Sequence, residues 1–444
     1  MIKRILSAIL MISAVAASAQ KITIQGNRFY EGTAPVFLNG VNTPWDNWND
    51  FGGSYNHDWW NAEFIRLKEA HVNCVRVWIH CDGGKSPSTD ADGTVSGATE
   101  AFWTHMDDLM DLAFVHEIYI LPALWSFDMP KTNERYKKML ADTNKVQSYI
   151  DHFLIPLVER YDGAPYLLAW EICNEPEWIF ENYGVPQAQV IRMHAMLAAA
   201  IHEHCSEYVT TGSACVKWNG SCSSCVGNLW SDASLKNAHP RKFQNAFLDF
   251  YQVHYYSWQD PWFSTPMART VSAYGMPDDR PVLLGEMSAK GDADRYIRLY
   301  ENGFDGGMGW TSNGVDDNGS LADLNPALAA FYAAYPDLVD MTQTGVQSGD
   351  AAPSGFKLGN YPNPFNSETV FAFELPADSG VTLNLYTSQG LHVRTLARRR
   401  LAAGPASLKW NGRDENGLPL SSGVYLYHFS AGDIESGGRL VLLR

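Results

Sequence analysis

The sequence predicts a (β/α)8 TIM barrel followed by a small all-β sandwich. Three observations point there. From Ile22 to about Val339, short apolar runs alternate with amphipathic stretches, as parallel strands buried on both faces alternate with covering helices. Eight such runs occur, the number a closed barrel needs. Beyond Met341 the helical period disappears, and short alternating strands separated by turn residues take over.

Taken in order, the chain opens on a processing signal. Lys3 and Arg4 precede an apolar run from Ile5 to Val15, and Ala17-Ser18-Ala19 offers a small-residue cleavage site. The run is too short to span a bilayer, so residues 1–19 are read as a cleaved signal peptide and residues 20–340 as the barrel. Its strands are expected at Val36–Val41, Asn73–Ile79, Ile118–Leu124, Leu167–Cys173, Tyr208–Gly212, Phe250–Tyr255, Val282–Glu286 and Gly306–Trp310. Helices are expected at Trp59–His71, Phe102–Glu117, Val146–Arg160, Ala188–His204 and Asp292–Glu301. The third shows Ile150, Phe153, Leu154, Leu157 and Val158 at helical spacing, with Pro156 expected to kink it. An open doubly wound sheet would want a glycine-rich phosphate turn after its first strand, and Leu38–Pro44 is not one. Residues 341–355, rich in Gly, Ser, Thr, Gln and Ala, read as a linker. Residues 356–444 form the sandwich, with strands expected at Val370–Glu374, Val381–Tyr386, Ser407–Trp410 and Gly423–Phe429.

A formal net charge of −16 repels phosphate backbones and argues against nucleic acid as a partner. Acidity with 15 Trp and 21 Tyr suits a neutral, stackable ligand such as a sugar. The seven cysteines all precede residue 226. Cys222-Ser223-Ser224-Cys225 lacks the second close pair or the histidines of a zinc site, so a loop-stapling disulfide is the better reading. Cys173, on a buried strand, is expected to stay a thiol.

Two glutamates close apolar runs. Glu175 stands in Trp170-Glu171-Ile172-Cys173-Asn174-Glu175-Pro176 and Glu286 in Pro281-Val282-Leu283-Leu284-Gly285-Glu286. Both carboxyls therefore lie at strand C-terminal ends, where such barrels keep their chemistry. Two carboxyls facing one another across a pocket can cleave a glycosidic bond, with inversion or retention according to their separation. Glu171 is the rival to Glu175. Alternation puts residues 171, 173 and 175 on one face, with Glu171 deeper and structural, paired with an arginine or tyrosine.

Residues 22–339 resemble glycoside hydrolase family 5, strand by strand. The resemblance rests on Phe37-Leu38-Asn39-Gly40-Val41-Asn42, Val75-Arg76-Val77, Asn174-Glu175-Pro176, Val253-His254-Tyr255-Tyr256, Gly285-Glu286 and Trp310. It implies retention, with Glu286 as nucleophile and Glu175 as acid, then base. It further implies Arg76 at the base of the pocket keeping Glu286 charged, Tyr256 bonded to the same carboxylate, and Asn174 on the sugar 2-hydroxyl. His254 would orient the acid or touch a sugar hydroxyl, and Trp310 would floor the subsite. A barrel-interior ion pair is the other reading of Arg76.

Aromatic residues crowd the expected exit loops: Trp45, Trp48, Trp125, Trp178, Trp218, Trp230, Trp258 and Trp262. Trp178 and Trp258 are the candidate sugar platforms beside Trp310, by strand-end position, and the density suggests an open cleft for a polymer. No cofactor or metal is called for; Asn313–Asn318 lacks the spacing of a calcium loop.

Residues 356–444 resemble the C-terminal sorting domains of the type IX secretion system, which are similar to the immunoglobulin-like module of flagellar hook-capping proteins. The matching residues are Asn360-Tyr361-Pro362-Asn363-Pro364-Phe365-Asn366, Trp410-Asn411-Gly412-Arg413-Asp414, Gly417 and Ser422-Gly423-Val424-Tyr425. This implies outer-membrane secretion machinery as a partner and a secreted or surface-attached protein; a monomer is expected. A carbohydrate-binding module, which would display exposed coplanar aromatics, is the alternative.

The expected activity is that of a secreted retaining endo-β-1,4-glycanase acting on a plant-type polysaccharide. β-Mannan is favoured because Asp249–Trp258 looks similar to mannanases of the family, and Pro122–Trp125 lacks the histidine of many of its cellulases. An endo-β-1,4-glucanase, a non-catalytic glycan-binding protein and a structural surface protein are the other readings.

Overall fold

The computed structural model describes residues 22–340 except Pro165, and residues 358–442 except Pro362, Pro364, Ser367, 388–390, Ser422 and Asp433. The expected signal peptide and linker lie outside the described residues, as do parts of the sorting motif. The chain divides into two compact units, one within Ser18–Gln343 and one within Thr344–Arg444.

The first unit is a closed barrel of eight parallel strands: β1 Leu38–Asn42, β2 Cys74–Trp78, β3 Tyr119–Ser126, β4 Ala169–Asn174, β5 Tyr208–Ser213, β6 Tyr251–His254, β7 Val282–Ser288 and β8 Gly306–Trp310. Each pairs with the next in sequence, and β8 closes onto β1 with Gly306 opposite Leu38 and Trp310 opposite Asn42. Helices cover the outside, so every residue of β1 to β4 is buried. That double burial is why the strands read as continuous apolar runs.

Three local features differ from expectation. Val36 does not begin β1; it ends a small antiparallel sheet, Ile22–Gln25, Arg28–Glu31 and Ala34–Val36. Ile22, Phe29 and Val36 pack against Leu38, Leu121, Phe250 and Met308, plugging the base of the barrel. Strands of three and four residues are too short to show a period.

The helix expected to kink at Pro156 runs on through an irregular turn. Helix Thr143–Tyr149 continues through a π-turn at Ile150–Leu154 into Ile155–Arg160, with helical dihedrals at Ile150 and Ile155. Proline has no N–H to give and crowds the preceding turn; the wider π-turn absorbs both defects.

Simple alternation also fails in β4. Opposite β5 the pairing shifts between Thr210–Glu171 and Gly212–Asn174. Such a bulge inverts the faces beyond it, so Glu171 and Asn174 both reach Arg76, while Cys173 packs with Trp170 and Ile172 in the outer layer.

The second unit contains two sheets. One is ordered Leu358–Tyr361, Thr369–Leu375, Gly404–Trp410; the other His392–Leu401, Ser379–Thr387, Gly423–Ala431, Ile434–Leu442. Phe365, Phe371, Phe373, Leu383, Trp410, Phe429 and Leu440 fill its core. The strand His392–Leu401 escapes a sequence reading because Arg398, Arg399 and Arg400 lie exposed on it. It is an edge strand, where charge discourages pairing with another chain.

Candidate active site

One buried guanidinium ties the strand ends together. On β2, Arg76 donates from Nε to Glu171 Oε2 at 2.6 Å and from Nη2 to Glu171 Oε1 at 2.6 Å. Its Nη1 reaches Glu286 Oε1 at 2.7 Å and Asn42 Oδ1 at 2.9 Å, and Nη2 also reaches Asn174 Oδ1 at 2.8 Å. Arginine suits this place because its planar fork serves several acceptors at once. Gln252 Nε2 adds a bond to Glu171 Oε2 at 2.8 Å. The cluster is so tight that a Cβ on Gly212 would stand 2.6 Å from Glu171 Oε1 and 2.9 Å from His254 Nε2. Only glycine fits there.

Glu286 lies within β7. Its Oε2 accepts from the Tyr256 hydroxyl at 3.0 Å. Burial raises its pKa, opposed by His254 and by the Arg76 guanidinium. The Tyr256 phenol is itself pushed well up, first by burial and then by Glu286, so it stays a donor.

Glu175 follows β4 at the turn into helix Glu177–Asn182, with its backbone in the left-handed region at φ 46°. Its Oε2 accepts from Trp178 Nε1 at 2.8 Å, and its Oε1 lies 3.1 Å from His254 Nδ1. Burial pushes the His254 imidazole down to about 4. It is therefore neutral near pH 7, and the tautomer with the proton on Nδ1 donates to the carboxylate. Burial pushes Glu175 up to about 7. One carboxylate oxygen from each of Glu175 and Glu286, with a ring nitrogen of His254, lie within 4.8 Å of one another.

The Glu175 shift bears on stability. Its folded pKa of about 7 lies above the ordinary carboxyl value of 4.5. Below the unfolded value the group is neutral in both states and costs nothing. The cost of ionising it in the fold grows as pH rises and is complete above about 7. Glu175→Gln, which cannot ionise, is expected to melt above the parent at pH 8 and level with it at pH 4.5; thermal melts at the two pH values test this, and equal melting at pH 8 contradicts it.

The structure thus brings Glu175, Glu286, Arg76, Asn174, His254 and Tyr256 together. Hydrogen bonds join Arg76, Asn174, Tyr256 and Glu286 through the guanidinium and Glu286. His254 Nδ1, 3.1 Å from Glu175 Oε1, stands 3.5 Å from Glu286 Oε1. Trp310, at the end of β8, donates from Nε1 to Asp316 Oδ2 at 2.8 Å and clusters with Trp78 and, at the edge, Trp45 and Tyr256. Trp178 donates to the Glu175 carboxylate, while Trp258, half exposed, has its ring centroid 6.2 Å from that of Trp178. Trp125, Trp218 and Trp230 are buried and belong to the barrel's outer core. Sequence reasoning missed Asn42, Gln252 and Trp78. Gln252 carried a signal: it is polar in an apolar strand and two residues from His254, hence on the same face. Cys222 and Cys225 form a disulfide, and Cys173 is an unbridged thiol.

A family model described as Cellulase (glycosyl hydrolase family 5) matches residues 30–314, and one described as FlgD Ig-like domain matches residues 360–433. A mannan endo-1,4-β-mannosidase of Cryptopygus antarcticus is 27% identical over 344 residues, covering 69% of this chain and 88% of that protein. Another from Mytilus edulis is 27% identical, covering 72% and 95%. Among solved structures, the endo-1,4-β-mannanase of Eisenia fetida superposes with a TM-score of 0.64 at 26% identity, covering 70% of this chain and 95% of that one.

Proposed function

The chain belongs to glycosyl hydrolase family 5, and from that premise we propose that it cleaves β-1,4-mannan within the polymer by double displacement, with Glu286 as nucleophile and Glu175 as acid, then base. The observation that carries the mechanism is the short span between the carboxylates, whose nearest oxygens lie within 4.8 Å. Retaining enzymes hold their carboxyl groups about 5–5.5 Å apart, whereas inverting ones leave about 6.5–9.5 Å for a water.

Environment divides the labour. Glu286, ion-paired to Arg76 and bonded to Tyr256, is held as the carboxylate that attacks the anomeric carbon. Glu175, lacking a cation at hydrogen-bond distance and raised to about 7, carries the proton that the leaving oxygen needs. Once the glycosyl-enzyme has formed, the ionised Glu175 deprotonates the incoming water. Asn174 gives its Oδ1 to Arg76, which leaves its amide N–H to donate to the sugar 2-hydroxyl, and Trp310 floors the site. Trp258 extends the cleft on the leaving-group side, next to the Trp178 that holds the acid. Trp48, Trp258 and Trp262, 40%, 50% and 58% exposed, offer faces to a polymer.

Mannan is favoured over β-1,4-glucan because the relatives matched over most of their length bear the name mannan endo-1,4-β-mannosidase. The glucanase reading rests on the name of the family model. Reducing-sugar release from mannan, glucomannan, cellulose and mixed-linkage glucan, with Glu175→Gln and Glu286→Gln as controls, decides between them. Activity on mannan that is lost in both variants is the expected result. Release from glucans alone moves the substrate to cellulose-type chains, and no release from any of the four overturns the proposal.

Export belongs to the same proposal. Residues 1–19 would direct the chain out of the cytoplasm, and residues 356–444 would sort it across an outer membrane to a released or surface-attached form. The opening motif at Asn360–Asn366 and the match to an Ig-like domain support this. Among the described residues of the sandwich, Phe365, Phe371, Phe373, Trp410, Tyr425, Tyr427 and Phe429 are buried, which disfavours a sugar-binding aromatic strip.

A further inference from the structure

Glu177 is fully buried two residues past Glu175, and the chemistry above makes no use of it. Its carboxylate is saturated by donors from two later segments. Oε1 accepts from the Ser213 hydroxyl at 2.6 Å and from Trp230 Nε1 at 2.7 Å, and Oε2 from the Ala214 amide at 3.0 Å. Burial pushes its pKa up to about 7, opposed by those same three donors. A buried carboxyl without a counter-ion costs stability, so its presence calls for a reason.

The reason lies in the turn it closes. Glu175 takes φ 46°, a left-handed conformation that strains a residue with a side chain. Such a turn persists only when its surroundings over-determine it. On one side the Glu175 amide donates to Gly212 O at 2.6 Å, at the bulge where β4 and β5 part. On the other, Glu177 grips Ser213 and Ala214, the residues that directly follow Gly212. The two links lock the Asn174–Glu177 turn to the end of β5, and Trp230 holds the far side of the carboxylate.

We propose that Glu177 is a positioning residue for the acid/base: through Ser213, Ala214 and Trp230 it holds the strained Glu175 turn so that the Glu175 carboxyl meets the leaving-group oxygen. Glu177 itself touches no substrate. The inference rests on Glu175 being the acid of the proposed reaction.

Leaving-group dependence separates positioning from general damage. A 2,4-dinitrophenyl β-mannobioside expels an anion that needs no proton, whereas a phenyl β-mannobioside needs the acid. Glu177→Gln keeps the size but sets an NH2 against at least one of three donors. Its kcat/KM on the phenyl glycoside is expected to fall about 10–100-fold, part of the 10²–10⁴ that general acid catalysis supplies. On the dinitrophenyl glycoside kcat/KM should stay within about threefold. Trp230→Phe, which removes one donor and keeps a ring, should shift the ratio the same way by less, and it decides the matter where Glu177→Gln does not fold. Equal losses on both substrates, or no loss, overturn the inference. Glu175→Ala is the reference: if it too shows no leaving-group dependence, the acid assignment has failed; if it does and the Glu177 and Trp230 variants do not, only the positioning role has.

Discussion

Glu286→Ala is expected to lower kcat/KM on mannan by about 10⁴-fold or more, the scale on which loss of a catalytic nucleophile acts, with little loss of fold. The alanine removes the atom that bonds to the anomeric carbon, so no glycosyl-enzyme can form. Azide turns this into a test of role. In Glu286→Ala, azide can enter only from the vacated nucleophile face, with Glu175 still protonating the leaving group, and gives the α-glycosyl azide. In Glu175→Ala, the glycosyl-enzyme forms on Glu286 and azide opens it from the opposite face, giving the β-azide. The anomeric configuration, read by NMR, is the measurement. The reverse pattern would exchange the two roles, and inversion in the unmodified enzyme would remove the covalent intermediate altogether.

Replacing Arg76 is expected to have the largest effect on stability. Its guanidinium is fully buried, and Glu171 and Glu286 share it at 2.6 and 2.7 Å. Removing one partner of a buried ion pair costs about 3–5 kcal/mol because the other charge stays behind uncompensated; here two carboxylates are left. Arg76→Met should therefore melt well below the parent at pH 8. The deficit should shrink as pH falls, since a Glu286 whose raised pKa rises further takes up its proton and ceases to be a buried charge. The same change shows in catalysis. The acid limb of the kcat/KM profile, which follows ionisation of the nucleophile, should move to higher pH, while the alkaline limb set by Glu175 near 7 moves less. An unshifted acid limb in a folded Arg76→Met or Arg76→Lys enzyme would mean that Arg76 does not govern the charge of Glu286.

The strands were legible because a parallel strand buried on both faces is written locally as an unbroken apolar run. Observed and expected ends differ by two residues at most. Glu175 and Glu286 were legible for the same reason, as acidic groups closing such runs. Glu171 was read as a deeper, paired carboxylate, and its partner proves to be Arg76. What could not be read depends on a neighbour from elsewhere in the chain. The bulge that turns Asn174 inward is a property of the β4–β5 pairing, and nothing within β4 announces it. Trp178 reads as a sugar platform by position, and only the fold shows that its indole N–H also donates to Glu175. Nothing in the local sequence marks Glu177, whose burial comes from Ser213, Ala214 and Trp230.

By itself, then, the sequence determined which segments pair, in what order they alternate with helices, and which carboxyls emerge at the strand ends, because these follow from periodicities a few residues long. Barrel closure decided the rest. It set Arg76 against Glu286 across 210 residues and Trp230 against Glu177 across 53. Hydrogen bonds and ion pairs act over a few ångströms in space with no regard to chain distance, so the charge and placement of the two glutamates exist only once the eighth strand has met the first.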